Sequence, residues 1–577
     1  MKASRWLLGS AVALAAVPFA AAAQTGSFSP QRLSDIDKTI SSNAFQGRGT
    51  ASAIEPKVIA YIADQFRAAG VQPGGDLVGG KRSWYQKVPL LESQIVGTPQ
   101  ISLDENGTVV PLQQGPQIAV LAPLNGAKQV DISNAPLVFV GYGVDAPERQ
   151  WNDFKGQDMH GKVLVELVND PDFEAQPGEP VAGVFGGKAM TYYGRWTYKF
   201  EEAARQGAAG VILIHETAPA SYGWEVVQNS NTNAQFDIVR DNPAAQHTAF
   251  ESWIQRPLAV QLFQRSGLDL EQAKVAARRR EFQPIPLKAT LSAHYAANPT
   301  VVTSHNVVGI LPGKKYPDET IIYSAHWDHL GIGKPDATGD RIYNGAIDNG
   351  TGISELIEQA RAFAHGPRPD RSVVFLAVTG EEKGLLGSSY YAAHPLYPAG
   401  KTVGVLNVDV MNVWGREKNF TIRGTAKLGL LDDLIAEGKK QGRYYSPDPH
   451  PETGGFYRSD HFSFAKTGVP AISFTPGLDL VNGGVAAGEA HSQDYNTHHY
   501  HQPSDEWSAN WDLSGMAEDG ELLHQLGLRL ANSREWPNWS PDSEFRAARD
   551  ATAAEREGAA PAAAPAPAQA PKKGERG

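Results

Sequence analysis

Five short segments in the second half of the chain carry side chains that could hold a metal ion or move a proton. The first is Ile321 to Gly331, I-I-Y-S-A-H-W-D-H-L-G, where a run of β-favouring apolar residues stops at His326, Asp328 and His329. A buried strand of an α/β sheet delivers polar groups to its C-terminal edge in this way, and that edge is where such sheets place their sites. Positions two apart on a strand share a face, so His326 and Asp328 point together and His329 points away if the strand continues. An imidazole beside a carboxylate can bind a metal through one nitrogen and donate its other N–H to the carboxylate. The second segment is Gly345 to Gly352, where Asp348 precedes a helix whose N-terminus would support an anionic group. In the third, Val373–Val378 runs into Thr379-Gly380-Glu381-Glu382-Lys383. Adjacent glutamates at a strand end are costly to bury unless one binds a cation and the other titrates. The fourth is the strand Val405–Val410, which contains Asn407 and Asp409, and the fifth is Tyr500-His501-Gln502-Pro503-Ser504-Asp505, after a Gly- and His-rich loop.

Two histidines, two aspartates and a glutamate are hard or borderline ligands, and they suit a pair of divalent ions with one carboxylate bridging. Paired ions about 3.5–4 Å apart polarise a carbonyl and lower the pKa of a shared water. A remaining carboxylate can take that water's proton as general base.

In this order, H-x-D, G-A-x-D-N, G-E-E, N-x-D and Y-H-x-P-x-D resemble the motifs of the co-catalytic di-zinc aminopeptidase family. That family also includes glutamate carboxypeptidases and the catalytically silent transferrin receptor ectodomain. The resemblance covers residues 30–115 and 294–535, and the stretch 116–293 is similar to the protease-associated domain inserted in many members. It implies two metal ions, zinc by family habit, with His326 and Asp409 on one, Glu382 and His501 on the other, and Asp348 bridging. Glu381 matches the family's general base, Asp328 the carboxylate that orients the first histidine, and Tyr500 a tyrosine that stabilises the oxyanion in several members. Ser459-Asp460-His461 matches a recurring motif that shapes the site without ligating. A hydrolase triad built from it would lack a nucleophile-elbow sequence. His491, His498 and His499 read as loop residues at the surface, His329 as a supporting group and His461 as a buried, hydrogen-bonded ring. His160, His215, His247 and His294 are assigned no role.

The surrounding elements are those needed to carry such a site. Apolar strands at Asn306–Leu311, Thr320–Ala325, Ser372–Val378, Thr402–Val410 and Pro470–Phe474 alternate with helical segments at Gly352–His365, Leu385–Ala393 and Leu428–Lys440. The expected fold class is α/β, a mixed and largely parallel sheet between helices (the zinc exopeptidase fold), with an inserted β-rich unit. Residues 24–115 supply its N-terminal part, with two helices between Ser29 and Gly74. Residues 116–293 form the insert, 294–535 the core, and 536–577 a Trp-containing cap and a tail. The tail is Ala/Pro-rich from about Ala551 and is expected to be disordered. Ser221 to Pro243 is polar and unpatterned and reads as a long surface loop.

Bulk properties set the compartment and exclude some partners. Lys2 and Arg5, the apolar run Trp6 to Phe19 and the small residues Ala20 to Ala23 read as a signal peptide over 1–23. The run is too short for a membrane anchor. The expected location is the periplasm or the medium, with no membrane association after cleavage. A formal net charge of −11 argues against nucleic acid as a partner. The chain has no cysteine, so any metal must be held by His, Asp and Glu.

The reaction these features predict is removal of N-terminal residues from peptide substrates by a metal-dependent exopeptidase. A carboxypeptidase acting on acidic C-terminal residues would need a cationic pocket, for which Arg195 and Lys199 are the candidates in the insert. Their plainer reading is a solvated helix start. A glutaminyl cyclase would use one zinc rather than two, and a non-catalytic receptor-like binding protein would have lost ligands that this chain keeps. Side-chain preference and oligomeric state are open, since the family contains monomers and dimers.

Overall fold

The structure is a computed structural model that describes residues 28–556 apart from Asn106. The signal peptide at 1–23 and the tail beyond residue 556 lie outside the described residues. The major sheet is ten-stranded and mixed. Its principal strands are β1 (Tyr85–Ser93), β2 (Gln235–Ile238), β3 (Thr300–Leu311), β4 (Tyr316–His326), β5 (Arg371–Val378), β6 (Thr402–Val408), β7 (Asn419–Ile422), β8 (Tyr444–Tyr445) and β9 (Ala471–Pro476). They lie in the order β2-β1-β3-β5-β4-β6-β9-β7-β8. The parallel pairs β5-β4, β4-β6 and β6-β9 form the centre, and the pairs β2-β1, β1-β3, β3-β5 and β9-β7 are antiparallel. The parallel centre is buried on both faces, which is why β5 and β6 read as unbroken apolar runs.

Helices α1 (Pro30–Ile40), α2 (Glu55–Ala69), α3 (Trp196–Arg205), α4 (Thr351–His365), α5 (Gly429–Lys440), α6 (Gly484–His498) and α7 (Ser514–Asn532) are the ones that matter below. One face of the sheet is covered by α1, α2, α4 and α7, whose Leu33, Ile62, Phe66, Ile353, Leu356 and Leu526 meet Ile321, Tyr323 and Phe375. Close approach there depends on Gly527: a Cβ at this position would lie 1.9 Å from the Tyr323 hydroxyl. At the far end of the domain, Trp536 and Trp539 are buried, and Trp539 Nε1 donates to the Gly468 carbonyl.

A second sheet of eight strands occupies residues 95–297 around its own core of Leu137, Val165, Ile212 and Phe250. It starts ahead of the residue-116 boundary expected from sequence texture. The reason is pairing: Ile95–Glu105 joins Ile285–Ala297 rather than continuing β1. Two loop expectations are corrected. Ser221–Pro243 contains a helix, Trp224–Asn231, and β2, which adds to the edge of the major sheet against β1. The stretch before Tyr500 is α6, a helix that buries only Gly488 and Tyr495 and so lacks the apolar periodicity that marks a helix in sequence. Ala553–Arg556 also form a short helical turn, with Arg556 Nη1 donating to the Gly400 carbonyl, so order extends a few residues past Ala551.

The link between β2 and the insert is electrostatic. His247 lies with Nε2 3.2 Å from Asp237 on β2 and Nδ1 3.2 Å from Glu251 on the insert strand Phe250–Gln255. Burial opposes the charge on this imidazole, but Glu251 and Asp237 outweigh it and raise its pKa to about 10. Because the folded pKa is raised, the stabilisation is fully present below the unfolded value of about 6.5 and is lost as pH rises through about 10. Hydrogen exchange in 235–255 should therefore speed up between pH 7 and pH 10 beyond the intrinsic base effect. His247→Gln should remove that excess. An excess that survives the substitution would place the linkage elsewhere.

Candidate active site

The central parallel strands bring the chemistry to one edge. In the register, His326 at the end of β4 pairs with Val378 at the end of β5, and Ser324 pairs with Asn407 on β6. The residues that follow these strand ends, Asp328, Glu381, Glu382 and Asp409, therefore emerge together. Asp409 lies just past the end of β6 rather than within the strand. The next residue, β-branched Val410, is held at φ 64°, an unfavourable backbone region that recurs near functional sites. Asp348 comes from the loop before α4 and His501 from the loop after α6.

Two groups of ligand-capable atoms share Asp348. His326, Asp348 and Asp409 form one, and His329, Asp348 and Glu382 the other, each with its ligand atoms within 4.8 Å of one another. His326 Nε2 is 3.3 Å from both Asp348 Oδ1 and Asp409 Oδ1. His501 Nε2 joins the second group, 3.3 Å from Asp348 Oδ2 and 3.1 Å from Glu382 Oε2. Asp348 Oδ1, Glu382 Oε1 and His501 Nε2 are buried without a well-formed hydrogen bond. The carboxylates hold His326 and His501 well above the ordinary imidazole range although burial works the other way, so the local field is strongly negative. Facing nitrogen and oxygen atoms, unpartnered and in a negative field, fit a pair of divalent cations bridged by Asp348. His501 is 34% exposed and His326 1%, so the site opens on the His501 side.

The structure brings His329 further in than the alternation of a strand allowed. The strand ends at His326, its side-chain alternation lapses, and the buried His329 lies with Nδ1 2.7 Å from Glu382 Oε1. Its ring stands edge-on to His501. The role expected of Asp328 is divided differently between its atoms. His326 Nδ1 lies 3.1 Å from the Asp328 backbone carbonyl, whereas the carboxylate is 3.9 Å away. That carboxylate instead accepts from the amides of Glu381 (3.1 Å) and Glu382 (3.4 Å), fixing the turn that carries them. Burial pushes the Glu381 carboxyl well above its usual range, with Asp409 and Glu382 adding to the shift against His326. Tyr500 stacks on His501 with ring centres 3.9 Å apart, and burial raises its hydroxyl to about 12, keeping it protonated at neutral pH.

Ser459, Asp460 and His461 do not form a relay. Ser459 Oγ accepts from Asn407 Nδ2 (2.8 Å), and neither nitrogen of buried His461 has a hydrogen-bond partner among the described residues, which corrects the expectation for that ring. His491 stacks on Trp414, and His498 is exposed beside Asp494. Lys199 is not on a solvated helix start. It is fully buried inside the insert, donating to the Tyr142 and Asn169 carbonyls.

Arg48, which the motifs did not single out, lies buried beneath the site. Its guanidinium donates to the carbonyls of Trp327 (2.8 Å), Asn344 (2.6 Å) and Gly345 (2.7 Å), tying the β4 end to the Asp348 loop. Thr50 Oγ1 donates to Asp328 Oδ2 (3.0 Å). From the other side, Asp505 accepts from the amides of Ile347 and Asp348. The loop Arg48-Gly49-Thr50 between two helices was the sequence signal for this clamp.

Residues 306–525 match the sequence model of Peptidase family M28. This stretch is a peptidase family M28 domain. All the ligand-capable residues, Glu381 and Tyr500 lie within it, and Arg48 and Thr50 reach it from outside. A probable zinc metalloprotease of Pyricularia oryzae is 38% identical over 106 residues, which is 18% of this chain and 20% of that protein. Aminopeptidase YwaD of Bacillus subtilis is 38% identical over 93 residues, 16% of this chain and 18% of that protein. The chain thus spans about a fifth of the length of these curated relatives. Among solved structures, an aminopeptidase from Aneurinibacillus sp. strain AM-1 aligns over 88% of this chain and 95% of its own, at 18% identity and a TM-score of 0.48.

Metal binding tests the M28 domain site directly. Chelated protein should take up two zinc ions per chain, and at free zinc about a hundredfold above Kd each bound ion should stabilise the fold by about 2.7 kcal/mol. Asp348→Asn, at the shared position, should lose both ions, whereas Asp409→Asn should lose one. Elemental analysis after dialysis reads the outcome, and equal loss in the two variants would contradict the division into two groups.

Proposed function

We propose that the protein is an exported, zinc-dependent exopeptidase that removes N-terminal residues from peptides. The observation that carries this reading is the pair of ligand groups sharing Asp348, with Glu381 beside them, in an M28 domain. One ion would be held by His326, Asp348 and Asp409, the other by Asp348, Glu382 and His501. Two zinc ions so held would polarise the scissile carbonyl and acidify a water. Export rests on the signal sequence at 1–23, and the unit on the second sheet is read as a protease-associated insert.

The protein's own groups then divide the work. Glu381, kept basic enough by burial and by its carboxylate neighbours, takes the water's proton and passes it to the leaving amine. Asp328 fixes the main chain of Glu381 and Glu382, so the proton acceptor and its neighbouring ligand keep their spacing. Tyr500, half-buried and protonated, donates to the substrate carbonyl oxygen as negative charge develops there. Its stacking on His501 limits where that hydroxyl can point.

Glu381→Gln should retain both ions and lose at least about a thousandfold in kcat, whereas Tyr500→Phe should lose about tenfold to a hundredfold. Near-normal turnover in Glu381→Gln would remove the residue from its role. Mass spectrometry of a peptide panel, with and without chelator, tests the reaction itself. The expected result is loss of single residues from free N-termini, abolished by N-acetylation and by chelation. Trimming from the C-terminus would make the protein a carboxypeptidase, and no chelator-sensitive cleavage by zinc-replete protein would make it a binding protein.

A further inference from the structure

The insert meets the M28 domain along a tight seam beside the candidate site. Met190 N donates to the Pro451 carbonyl (3.2 Å), the Tyr192 ring packs on Phe462, and Lys466 Nζ reaches Glu201 Oε1 (3.1 Å). Arg195, at the start of α3, lies against the M28 side: a Cβ on Gly454 would touch its Cδ at 3.5 Å. Four residues on, Arg458 adjoins Ser459 and the fully buried Asp460. Arg195 and Arg458 lie within electrostatic reach of each other and of Tyr222, and Arg458 also reaches Tyr500.

Neither arginine has an ion-pair partner or a side-chain hydrogen bond among the described residues, and Arg195 Nε is buried without a partner. The other cations of this region are committed. Lys466 pairs with Glu201, and Arg423 lies with Nη2 3.5 Å from Asp409 Oδ2. Two neighbouring guanidinium groups, partly withdrawn from water with no counter-ion, repel each other and lose hydration. A carboxylate placed between them removes both costs, because each guanidinium presents parallel N–H donors matched to two oxygens. The Tyr222 hydroxyl, with no hydrogen-bond partner of its own among the described residues, adds a neutral donor.

We propose that Arg195, Arg458 and Tyr222 form a carboxylate-binding subsite across the seam, so that the favoured substrates are peptides with a carboxylate a short distance from the scissile bond. The placement rests on the exopeptidase reading, since the reacting carbonyl is taken to lie between Glu381 and Tyr500. The insert then contributes two of the three recognition groups and is part of the active site. The carboxylate can be the C-terminus of a very short peptide or an acidic side chain.

Binding is measured first, by calorimetry on zinc-loaded Glu381→Gln protein, so that affinity is read without turnover. The pairs are Leu-Ala against Leu-Ala-amide, and Leu-Glu-amide against Leu-Gln-amide. The charged member of at least one pair should bind tenfold or more tightly. Arg195→Gln and Arg458→Gln in the same background should bring the ratio near one, and Arg458→Lys should keep part of it. Preference in the first pair alone identifies the terminal carboxylate, and in the second alone the side chain. Ratios near one in both pairs, or a ratio that survives both glutamine variants, overturn the subsite. Charge-dependent binding without cleavage by the wild-type protein would support the subsite and defeat the exopeptidase reading instead.

Discussion

Concentrated negative charge at one dry edge of a sheet is the constraint on which the rest of this structure depends. Asp328, Asp348, Asp409 and Asp460 are buried, and Glu381 and Glu382 stand beside them. Carboxylates this close cannot all stay ionised without compensation. Burial pushes Asp460 up to about 7 and Glu381 well above its usual range. On Glu382, by contrast, burial is outweighed by His501 and His329, and its pKa falls. The edge thus divides its carboxylates into ligand-like ionised groups and a proton carrier, which is the partition a hydrolytic site requires.

Holding these groups in place falls to partners that are not themselves reactive. The three parallel strands fix the relative heights of His326, Glu381 and Asp409 through backbone pairing alone. The Asp348 loop has no such support, and it is trapped between Arg48 below and the Asp505 carboxylate on the other side. Arg48 is a costly device: its guanidinium is fully buried and surrounded mainly by backbone carbonyls. Its hydrogen bonds to otherwise unsatisfied carbonyls offset that cost only while the loops keep this arrangement. The clamp therefore ties the N-terminal segment, far away in sequence, to the geometry of the site.

Much of the architecture could be read from periodicity. The buried strands β4, β5 and β6 and helices α2, α4, α5 and α7 have patterns strong enough to place. Elements whose pattern is set by tertiary contact were missed. Helix α6 buries too little to show a face, and β2 is a short edge strand whose identity comes from its partner β1. The insert boundary was displaced because Ile95–Glu105 is amphipathic in either sheet, and only its pairing decides which one it joins.

The sequence by itself determined the chemical inventory: which residues could bind divalent ions, which could move a proton, that no thiolate could take part, and the order in which strand ends would present them. Those properties are local, carried by residue type and by the apolar runs just before each motif. Tertiary structure alone decided which atoms meet. It turned His329 toward Glu382 where the strand stops, and gave the His326 contact to the Asp328 carbonyl rather than its carboxylate. It sent Lys199 inward while leaving Arg195 beside Arg458. Each of these depends on where a chain segment ends or which distant segment packs against it, and a one-dimensional pattern does not encode distance in space.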